Sequence, residues 1–353
     1  MAIITRLAEN NAWLISHEMF LQELYENRWI DGIFEINTPF MMDEQAKALA
    51  NNIETLKSRK RKKKTNLGSI LPVEEKMELI LKKLMKYFQP MPTNEMILNN
   101  NRIVREKVKE LMNTSTSTFK NVKSIRGSNE NEKSVKVNIE GRYYWIPSKC
   151  EYHLNDISNL KETFKCRKFK LIIMDPPWIN KHVKRHKHKS DGYNMLDNDE
   201  IFNQIPINEL LEINGFVVIW CTNSQKHWDA VEKWLKLWNL KLLSKWYWLK
   251  VTRSGEPITN FQHPHKKPYE ILIIACSIEN DIAKLDNEQV VISVPSGIHS
   301  HKPPLFQIFC QNGMISDKDK CLEIFGRYLL PNCITFGNQC LLFQDADIYF
   351  SNS

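Results

Sequence analysis

The residues best suited to chemistry in this sequence are Asp175, Pro176, Pro177 and Trp178, which directly follow the apolar run FKLIIM. Each proline lacks a backbone N–H but keeps its carbonyl, so this loop presents hydrogen-bond acceptors and few donors. A planar amino group on a nucleobase has two N–H donors that would suit such acceptors. The alternative interpretation is structural: the prolines end a strand, Asp175 caps a turn and Trp178 packs.

An exocyclic amine on a nucleobase is a poor nucleophile, because its lone pair is delocalised into the ring. If the Asp175 carboxylate and the Pro176 carbonyl accept both hydrogens, the nitrogen becomes pyramidal and can attack an electrophile. The Trp178 ring offers a face on which the base could stack, a contact worth about 1 to 3 kcal/mol. The sulfonium methyl of S-adenosyl-L-methionine is an electrophile that needs positioning and electrostatic stabilisation more than a strong base. We therefore expect methyl transfer from this cofactor.

Short apolar segments alternate with helical patterns from about residue 137 onwards. Apolar strands joined by helical crossovers are typical of a mostly parallel sheet covered on both faces, with ligands at the carboxyl ends of the strands, where Asp175 lies. We predict a Rossmann-like α/β domain over residues 137–353. The predicted strands are 169–174, 215–221, 245–251, 269–276, 290–295, 321–326 and 333–343, and the predicted helices include 224–238 and 303–312.

The first third of the chain has a different pattern. Its apolar residues recur at spacings of three and four, for example from Met42 to Leu56, which indicates helices. Residues 1–112 are therefore predicted to form a helical accessory domain. Residues 113–136 are polar and rich in serine, threonine and asparagine, and this composition predicts a linker or mobile loop.

The formal net charge of +8 is concentrated in two segments. Arg59–Lys64 carries six positive charges and residues 181–189 carry five, and neither segment contains an acid. Two basic patches on a mildly acidic remainder are expected of a protein that meets a polyanion at chosen places. Arg59–Lys64 is equally typical of a nuclear-import signal.

Cysteine usage and hydropathy indicate an intracellular protein. The eight cysteines include no Cys-x-x-Cys pair, and several lie inside apolar runs, which favours reduced core residues. The apolar runs are far shorter than the roughly 18 residues of a membrane span. The first residues carry acids and polar groups, so we expect no export signal. No metal site is expected either, because the histidines at 182, 186, 188, 263 and 265 have no cysteine pair nearby.

The DPPW segment resembles the signature of the adenine-N6 methyltransferase family that includes the catalytic subunit of the messenger-RNA methyltransferase. The resemblance also covers WCTNSQKH, HPHKKPYE, VPSGIHSHKPP and FGNQ, in this order, and extends from about Gly141 to the C terminus. It implies a Rossmann-like S-adenosyl-L-methionine-dependent methyltransferase domain whose catalytic loop runs from Asp175 to Trp178. The lack of a Gly-x-Gly-x-x-Gly loop agrees with this family.

The same resemblance implies which residues hold the cofactor. Asp156 and Ile157 match a pair that holds the adenine edge of S-adenosyl-L-methionine. Lys302 matches a lysine that pairs with the cofactor carboxylate, and Arg327 an arginine that reaches the ribose. The resemblance also implies that Asp175 contacts the cofactor, in addition to its expected catalytic role.

Asn338 and Gln339 of FGNQ match a pair that binds near the adenosyl group. Two positions depart from the family pattern. Residue 179 is isoleucine where related loops often have a polar or acidic residue, and Arg327 is followed by YLLPNC instead of the family's histidine and asparagine. The family's ribose contacts therefore do not transfer directly. The DPPW segment is intact, whereas partner subunits of the family that only bind RNA have lost it.

Substrate-binding residues are expected on two loops. The loop after the catalytic turn offers basic groups for phosphates and a tyrosine to cover the base: Asn180, Lys181, Lys184, Arg185 and Tyr193. A solvated surface loop is the alternative interpretation of its charges. By family position, the second loop also borders the active site: Lys266, Lys267 and Glu270. The spacing of these three residues alone indicates only an exposed turn before a strand.

We therefore predict an S-adenosyl-L-methionine-dependent adenine-N6 methyltransferase. The resemblance implies as substrate an internal adenosine of a spliceosomal small nuclear RNA, including one that carries a 2′-O-methyl group. It also implies an enzyme that works without a partner subunit. The basic run Arg59–Lys64 favours localisation in the nucleus, with the cytoplasm as a further location. Two alternatives remain: a DNA adenine-N6 methyltransferase and a catalytically silent RNA-binding subunit.

Overall fold

The computed structural model describes residues 3–7, 11–41, 72–115, 124–178, 198–263, 266–280, 285 and 288–351. Its centre is an eleven-stranded sheet, accompanied by a separate two-stranded hairpin. In chain order the strands are β1 Ile4–Leu7, β2 Ala12–Ile15, β3 Ile125–Asn129, β4 Val135–Ile139, β5 Arg142–Ile146, β6 Cys150–Leu154, β7 Phe169–Met174, β8 Leu211–Cys221, β9 Leu240–Lys250, β10 Tyr269–Ser277, β11 Val290–Ser293, β12 Cys321–Ile324 and β13 Cys333–Phe336.

Most of the helices are short and bury one face. In the longest helix after β8, the buried side chains are His227, Val231, Trp234 and Leu235, at the spacing of one helical stripe. No helix in the described parts of the chain is long and apolar enough to cross a membrane. The helices are α1 His17–Leu24, α2 Pro72–Leu84, α3 Asn94–Asn99, α4 Arg102–Ser115, α5 Leu160–Thr163, α6 Asn198–Asn203, α7 Ile207–Leu210, α8 Gln225–Leu237, α9 Phe306–Gln311 and α10 Ala346–Tyr349, with 3₁₀ turns at Met85–Tyr87 and Ile157–Asn159.

The strand order is β1-β2-β11-β9-β10-β8-β7-β12-β13-β6-β3. The central strands β8, β7, β12, β13 and β6 are parallel to their neighbours in this series, whereas β10 runs antiparallel to both β8 and β9. The sheet is therefore mixed, with a parallel centre. This α/β arrangement confirms the predicted Rossmann-like fold class.

The strand that leads to the catalytic loop is buried on both faces. In β7, Leu171 and Ile173 belong to one core cluster, and Ile172 and Met174 belong to the cluster on the other face. Side chains of a strand alternate between faces, so a strand covered by helices on both sides must be apolar throughout. This is why the run before Asp175 has no polar interruption.

The prediction of a separate helical domain over residues 1–112 is wrong. Strands β1 and β2 extend the main sheet, where Trp13 of β2 pairs with Val291 of β11. Helix α2 packs Met77 into a cluster that includes Leu249 and Tyr269 of the same sheet. Periodicity reports which face of an element is apolar but not which distant element covers it. Residues 42–71, which carry part of the helical pattern, lie outside the described residues.

The prediction of a linker over residues 113–136 is also wrong for the part that the structure describes. Helix α4 continues to Ser115, β3 pairs antiparallel with β6, and β4 forms a hairpin with β5. Strand β3 is a sheet edge whose alternate residues face solvent, so its sequence IRGSN resembles a loop in composition. The predicted strand at 333–343, in contrast, ends at Phe336.

A buried histidine pair joins the N-terminal segment to the loop after β11. The rings of His17, on α1, and His301, in the loop after β11, have centroids 4.5 Å apart. His301 Nδ1 lies 3.0 Å from Ser296 Oγ. Neither nitrogen of His17 has a hydrogen-bond partner in the described structure. Burial lowers the pKa of His301 to about 3, and burial together with His301 holds the pKa of His17 well below its ordinary value.

We expect acidification from pH 7 to pH 5 to lower the free energy of unfolding. The unfolded chain takes up protons at these histidines near the ordinary pKa of 6.5, whereas in the folded protein the same histidines are protonated only at a lower pH. Each histidine therefore costs about 1.4 kcal/mol of stability per pH unit below that value, until the folded state also titrates. His17→Phe should flatten this slope in urea unfolding at pH 7, 6 and 5. Equal slopes for the two proteins would show that His17 is not held neutral.

Candidate active site

The predicted site residues lie on loops that share one edge of the sheet. Strands β6, β7, β11, β12 and β13 run in the same direction, so their carboxyl ends reach this edge, where the antiparallel β10 begins. In chain order, the residues at this edge are Asp156, Ile157, Asp175, Pro176, Pro177, Trp178, Glu270, Lys302, Arg327, Asn338 and Gln339. The carboxyl edge therefore collects candidates that are up to 183 positions apart in the chain.

The buried Lys302 and the partly buried Asp175 and Glu270 form a charge cluster at this edge. Lys302 Nζ lies 3.4 Å from Asp175 Oδ2 and donates a hydrogen bond to Glu270 Oε2. Lys250, the last residue of β9, donates to the other oxygen of Glu270. Sequence analysis missed Lys250, because a single lysine at the end of an apolar strand belongs to no motif. In the pairing of β9 with β10, Glu270 lies opposite Trp248, and Lys250 lies two residues further along β9, so its approach to Glu270 follows only from strand pairing.

Burial and charge act in opposite directions on this cluster. Burial raises the pKa of the Asp175 carboxyl, while the Lys302 ammonium acts to lower it. Burial also disfavours the charged forms of Glu270 and Lys302. For these two the opposite charges prevail: Lys250 and Lys302 lower the pKa of Glu270, and Asp175 and Glu270 raise the pKa of Lys302. Lys302 is therefore a cation that favours the ionised form of Asp175.

The loop Asp175–Trp178 turns tightly after β7. The Trp178 N–H donates to the Pro176 carbonyl over 2.7 Å, and the Asp175 N–H donates to the Ile324 carbonyl over 3.4 Å. A carbonyl oxygen has two lone pairs, so the Pro176 carbonyl keeps one for a ligand. The predicted patch of acceptors is thus present, although the Pro176 carbonyl already accepts one hydrogen bond from within the loop.

The Trp178 ring is partly buried and held on more than one side. Its Nε1–H donates to the Trp220 carbonyl at the end of β8 over 2.9 Å. The His227 ring stacks against it, with centroids 4.7 Å apart and planes 20° apart, and Phe202 meets it edge-on. A base could therefore stack only on the face of Trp178 that His227 leaves uncovered. Sequence analysis included His227 in the segment WCTNSQKH but assigned it no role, because its place on one face of α8 indicates only a core residue.

Two loops provide polar groups for a cofactor. Asp156 opens the 3₁₀ turn Ile157–Asn159 and accepts hydrogen bonds from Ser158 N–H and Oγ–H through Oδ1, at 3.0 and 2.6 Å. Ile157 is buried beside it. On the other loop, Arg327 Nη1 lies 3.5 Å from the His299 carbonyl. Asp156 is thereby fixed in one orientation at the carboxyl end of β6.

The neighbouring strands β12 and β13 leave two buried polar atoms for a ligand. Glu323 and Thr335 are cross-strand partners, and neither Glu323 Oε2 nor Thr335 Oγ1 has a hydrogen-bond partner in the described structure. A Cβ atom at Gly326 would lie 2.5 Å from Thr335 Cγ2 and 3.0 Å from Glu323 Oε2, so Gly326 packs closely against both side chains and leaves no room for a side chain of its own. Buried polar groups without partners are rare in folded proteins and often mark ligand sites. The edge fits a ligand with hydroxyl or amino groups, as S-adenosyl-L-methionine has.

Glu323 is a second acid that sequence analysis missed. Burial raises the pKa of its carboxyl to about 8, and the nearby Asp175 contributes in the same direction. Asp175 and Glu323 thus belong to adjacent strands at the same edge but have different surroundings. The Lys302 ammonium lies beside Asp175, whereas burial keeps the Glu323 carboxyl mainly protonated at neutral pH.

Glu323→Gln should make the ligand-free protein less sensitive to alkaline pH. Wild-type Glu323 keeps a proton in the folded state that the unfolded chain loses near pH 4.5, so stability falls as the pH rises from there through about 8. Glutamine keeps the shape and removes the titration. The difference in Tm between variant and wild type should therefore shift in favour of the variant between pH 6 and pH 9. A constant difference across this range would contradict a neutral buried carboxyl.

The structure gives Lys267 a different role from the predicted one. Its ammonium lies 2.9 Å from Oε1 of Glu74 on α2, which is fully buried, and the Tyr269 hydroxyl donates to the same oxygen over 3.0 Å. Lys267 therefore attaches α2 to the start of β10. Its neighbour Lys266 is exposed, and the backbone N–H of Lys266 donates to His263 Nδ1. Sequence position could not reveal a partner 193 residues away.

Lys267→Ala should destabilise the protein by about 3 to 5 kcal/mol, because it leaves Glu74 buried without its counter-charge. The matched variant Lys266→Ala removes an exposed lysine from the same loop and should change stability by about 0.5 kcal/mol at most. Urea unfolding of both variants measures the difference. A stable Lys267→Ala protein with weakened RNA binding would instead support the predicted substrate role.

Several predictions fall outside the described residues: Asn180, Lys181, Lys184, Arg185 and Tyr193 of the loop after Trp178, and the basic run Arg59–Lys64. Their roles stay predictions. Within the described ranges, no group of three or more histidine, cysteine or acidic side chains could hold a metal ion.

Comparison with known proteins places this site in a family. The MT-A70 family matches residues 169–339. N(6)-adenine-specific methyltransferase METTL4 of Mus musculus is 35% identical over 235 residues, which cover 63% of this chain and 48% of that protein. DNA N6-methyl methyltransferase of Caenorhabditis elegans is 27% identical over 350 residues, 91% of this chain and 92% of that protein. N6-methyladenosine RNA methyltransferase MTA1 of Pyricularia oryzae is 33% identical over 218 residues, 58% of this chain and 56% of that protein.

The chain spans about half the length of the METTL4 relative. The names of these relatives include both DNA and RNA substrates. MT-A70 methyltransferases use S-adenosyl-L-methionine, and the acceptor loop and the unsatisfied polar atoms at the carboxyl edge suit that cofactor. The matched region contains the whole loop from Asp175 to Trp178, and residues 169–339 form a methyltransferase domain of the MT-A70 family.

Proposed function

We propose that this protein transfers a methyl group from S-adenosyl-L-methionine to N6 of adenine in a nucleic acid. The observation that carries the proposal is the loop Asp175–Trp178 at the carboxyl end of β7, inside the MT-A70 domain. Its acid lies 3.4 Å from the Lys302 ammonium, which favours the carboxylate that the reaction needs. The relatives named for adenine methylation support the same reaction class.

The catalytic loop would act by orienting the amine. An Asp175 carboxylate oxygen and the Pro176 carbonyl would accept the two N6–H hydrogens, so that the nitrogen lone pair points away from the ring. The lone pair forms the new N–C bond as the methyl–sulfur bond breaks, and N6 then loses one proton. Because the methylated ammonium is acidic, Asp175 needs to position and stabilise rather than act as a strong base.

The cofactor would lie along the carboxyl edge and supply a methyl group on a positively charged sulfur. Lys302 would share its ammonium between the cofactor carboxylate and the acids Asp175 and Glu270, to which it is already bonded. The unsatisfied atoms Glu323 Oε2 and Thr335 Oγ1 support a polar group of the ligand nearby. The residues proposed to hold the cofactor are Asp156, Ile157, Asp175, Lys302, Arg327, Asn338 and Gln339.

The proposed substrate is an internal adenosine of a spliceosomal small nuclear RNA, with or without a 2′-O-methyl group. The family resemblance and the relative named as an RNA methyltransferase support RNA. Basic residues after the catalytic loop, which include Lys184 and Arg185, would hold the phosphates. We further propose that the enzyme works without a partner subunit and enters the nucleus through Arg59–Lys64.

DNA adenine methylation is the second candidate. It is favoured by the Caenorhabditis elegans relative, which is named as a DNA methyltransferase and aligns over 91% of this chain. A catalytically silent RNA-binding subunit is less well supported, because Asp175 and its acceptor loop are intact.

Methyl transfer to matched oligonucleotides tests these candidates. Single-stranded RNA, the same RNA with a 2′-O-methyl target adenosine, and the corresponding DNA are each incubated with labelled S-adenosyl-L-methionine. We expect label on adenine N6, strongest on the 2′-O-methyl RNA, because a site selective for RNA senses the 2′-oxygen. Asp175→Asn keeps the size of the side chain and removes its charge, and it should reduce transfer by about 100-fold or more.

The three substrates separate the possible outcomes. A preference for DNA would keep the reaction and overturn the substrate. Cofactor binding without transfer to any nucleic acid would favour the silent subunit. Full activity of Asp175→Asn would overturn the role proposed for the carboxylate.

A further inference from the structure

The plane of the Trp178 ring is set by residues at the end of β8 and the start of α8. The indole N–H bonds to the Trp220 carbonyl, and the His227 ring lies nearly parallel to the indole at a centroid distance of 4.7 Å. Phe202 touches the indole at 65°, along its edge. Among the described aromatic residues, His227 is thus the one stacked on a face of Trp178.

We propose that His227 is a positioning residue that holds Trp178 as a one-faced platform for the target adenine. The proposal rests on the proposed function, since it assigns to the free face of Trp178 the base whose N6 is methylated. His227 would not touch the base. It acts by covering the opposite face and so fixing the ring plane relative to the neighbouring Asp175.

His227 is itself restrained. Its Nδ1 lies 2.6 Å from Thr222 Oγ1, and the same hydroxyl oxygen accepts the Ser224 N–H over 3.2 Å. Because the oxygen accepts from Ser224, the hydroxyl hydrogen is available to donate to Nδ1. His227 is 4% exposed and lies in the first turn of α8, where its backbone N–H donates to the Ser224 carbonyl. The imidazole plane is therefore defined by the β8–α8 turn.

The two contacts on Trp178 come from one short segment. Trp220 is the penultimate residue of β8 and His227 follows seven positions later, so the same segment supplies the hydrogen bond and the stacked ring. A platform that is already ordered spares part of the entropy that ordering it on binding would cost. It also keeps the base within the narrow range of positions from which the amine can attack, where a misplacement of about 1 Å can cost 100-fold in rate.

The test compares His227→Ala with His227→Phe, which keeps a ring against Trp178 but loses the bond to Thr222. Val231→Ala is the control, because it truncates a buried residue one turn further along α8 and destabilises the same helix. Steady-state methyl transfer to the RNA that the wild type methylates best gives kcat and KM, and titration gives the Kd for S-adenosyl-L-methionine. In a second assay, the target adenine is replaced by 2-aminopurine, whose fluorescence is quenched when it stacks.

We expect His227→Ala to lower kcat/KM by about tenfold or more and to relieve the quenching, as Trp178→Ala should, with an unchanged Kd for the cofactor. The kcat/KM of His227→Phe should stay within about threefold of wild type, and Val231→Ala should lose thermal stability but keep the quenching.

The proposal is overturned if His227→Ala quenches 2-aminopurine as the wild type does, or if its kcat/KM falls no further than that of Val231→Ala. It is also overturned if the wild type leaves 2-aminopurine unquenched. Absence of wild-type methyl transfer, in contrast, refutes the proposed function, and the fluorescence assay then decides on His227 alone.

Discussion

A carboxylate at the buried end of a central strand is stable as an anion only beside a cation, and the arrangement of this site follows from that constraint. Asp175 ends the apolar strand β7, and the Lys302 ammonium 3.4 Å away opposes the effect of burial on its ionisation. Lys302 is in turn held by Glu270, and Glu270 by Lys250. The alternating charges lie on the loops after β7 and β11 and on the strands β10 and β9, so the site forms only when these strands are assembled in one sheet.

The loop that carries Lys302 depends on the N-terminal segment. His301 packs against His17 of α1, and the Tyr328 hydroxyl donates to the Lys302 carbonyl over 2.6 Å. Strand β2 pairs with β11, which leads into the same loop. The N-terminal residues therefore belong to the structure that positions Lys302, and they bury large aromatic side chains such as Trp13 and Trp29 in the common core.

The loop Asp175–Trp178 and its place at a strand end were predictable because the information for them is local. An unbroken apolar run requires a strand covered on both faces, and two prolines end that strand in a turn with few donors, whatever the rest of the chain does. The cofactor candidates were predictable only by resemblance to a family, since no spacing of Asp156, Lys302 or Arg327 indicates a shared site. Lys250 and His227 were given no role for a related reason: each contributes through a partner on another element, and although His227 ends the family segment WCTNSQKH, nothing in that segment indicates its partner.

The sequence by itself determined the α/β class, the position of the acceptor loop at a strand end and the acid that it carries. Only the tertiary structure decided that the first strands complete the sheet, that Lys267 faces Glu74 and not the substrate edge, and that Trp178 has one face covered by His227. The physical reason is that periodicity and turn chemistry act over a few residues, whereas counter-charges and stacked rings are chosen by strand order and register. Residues hundreds of positions apart become neighbours only when the sheet is formed.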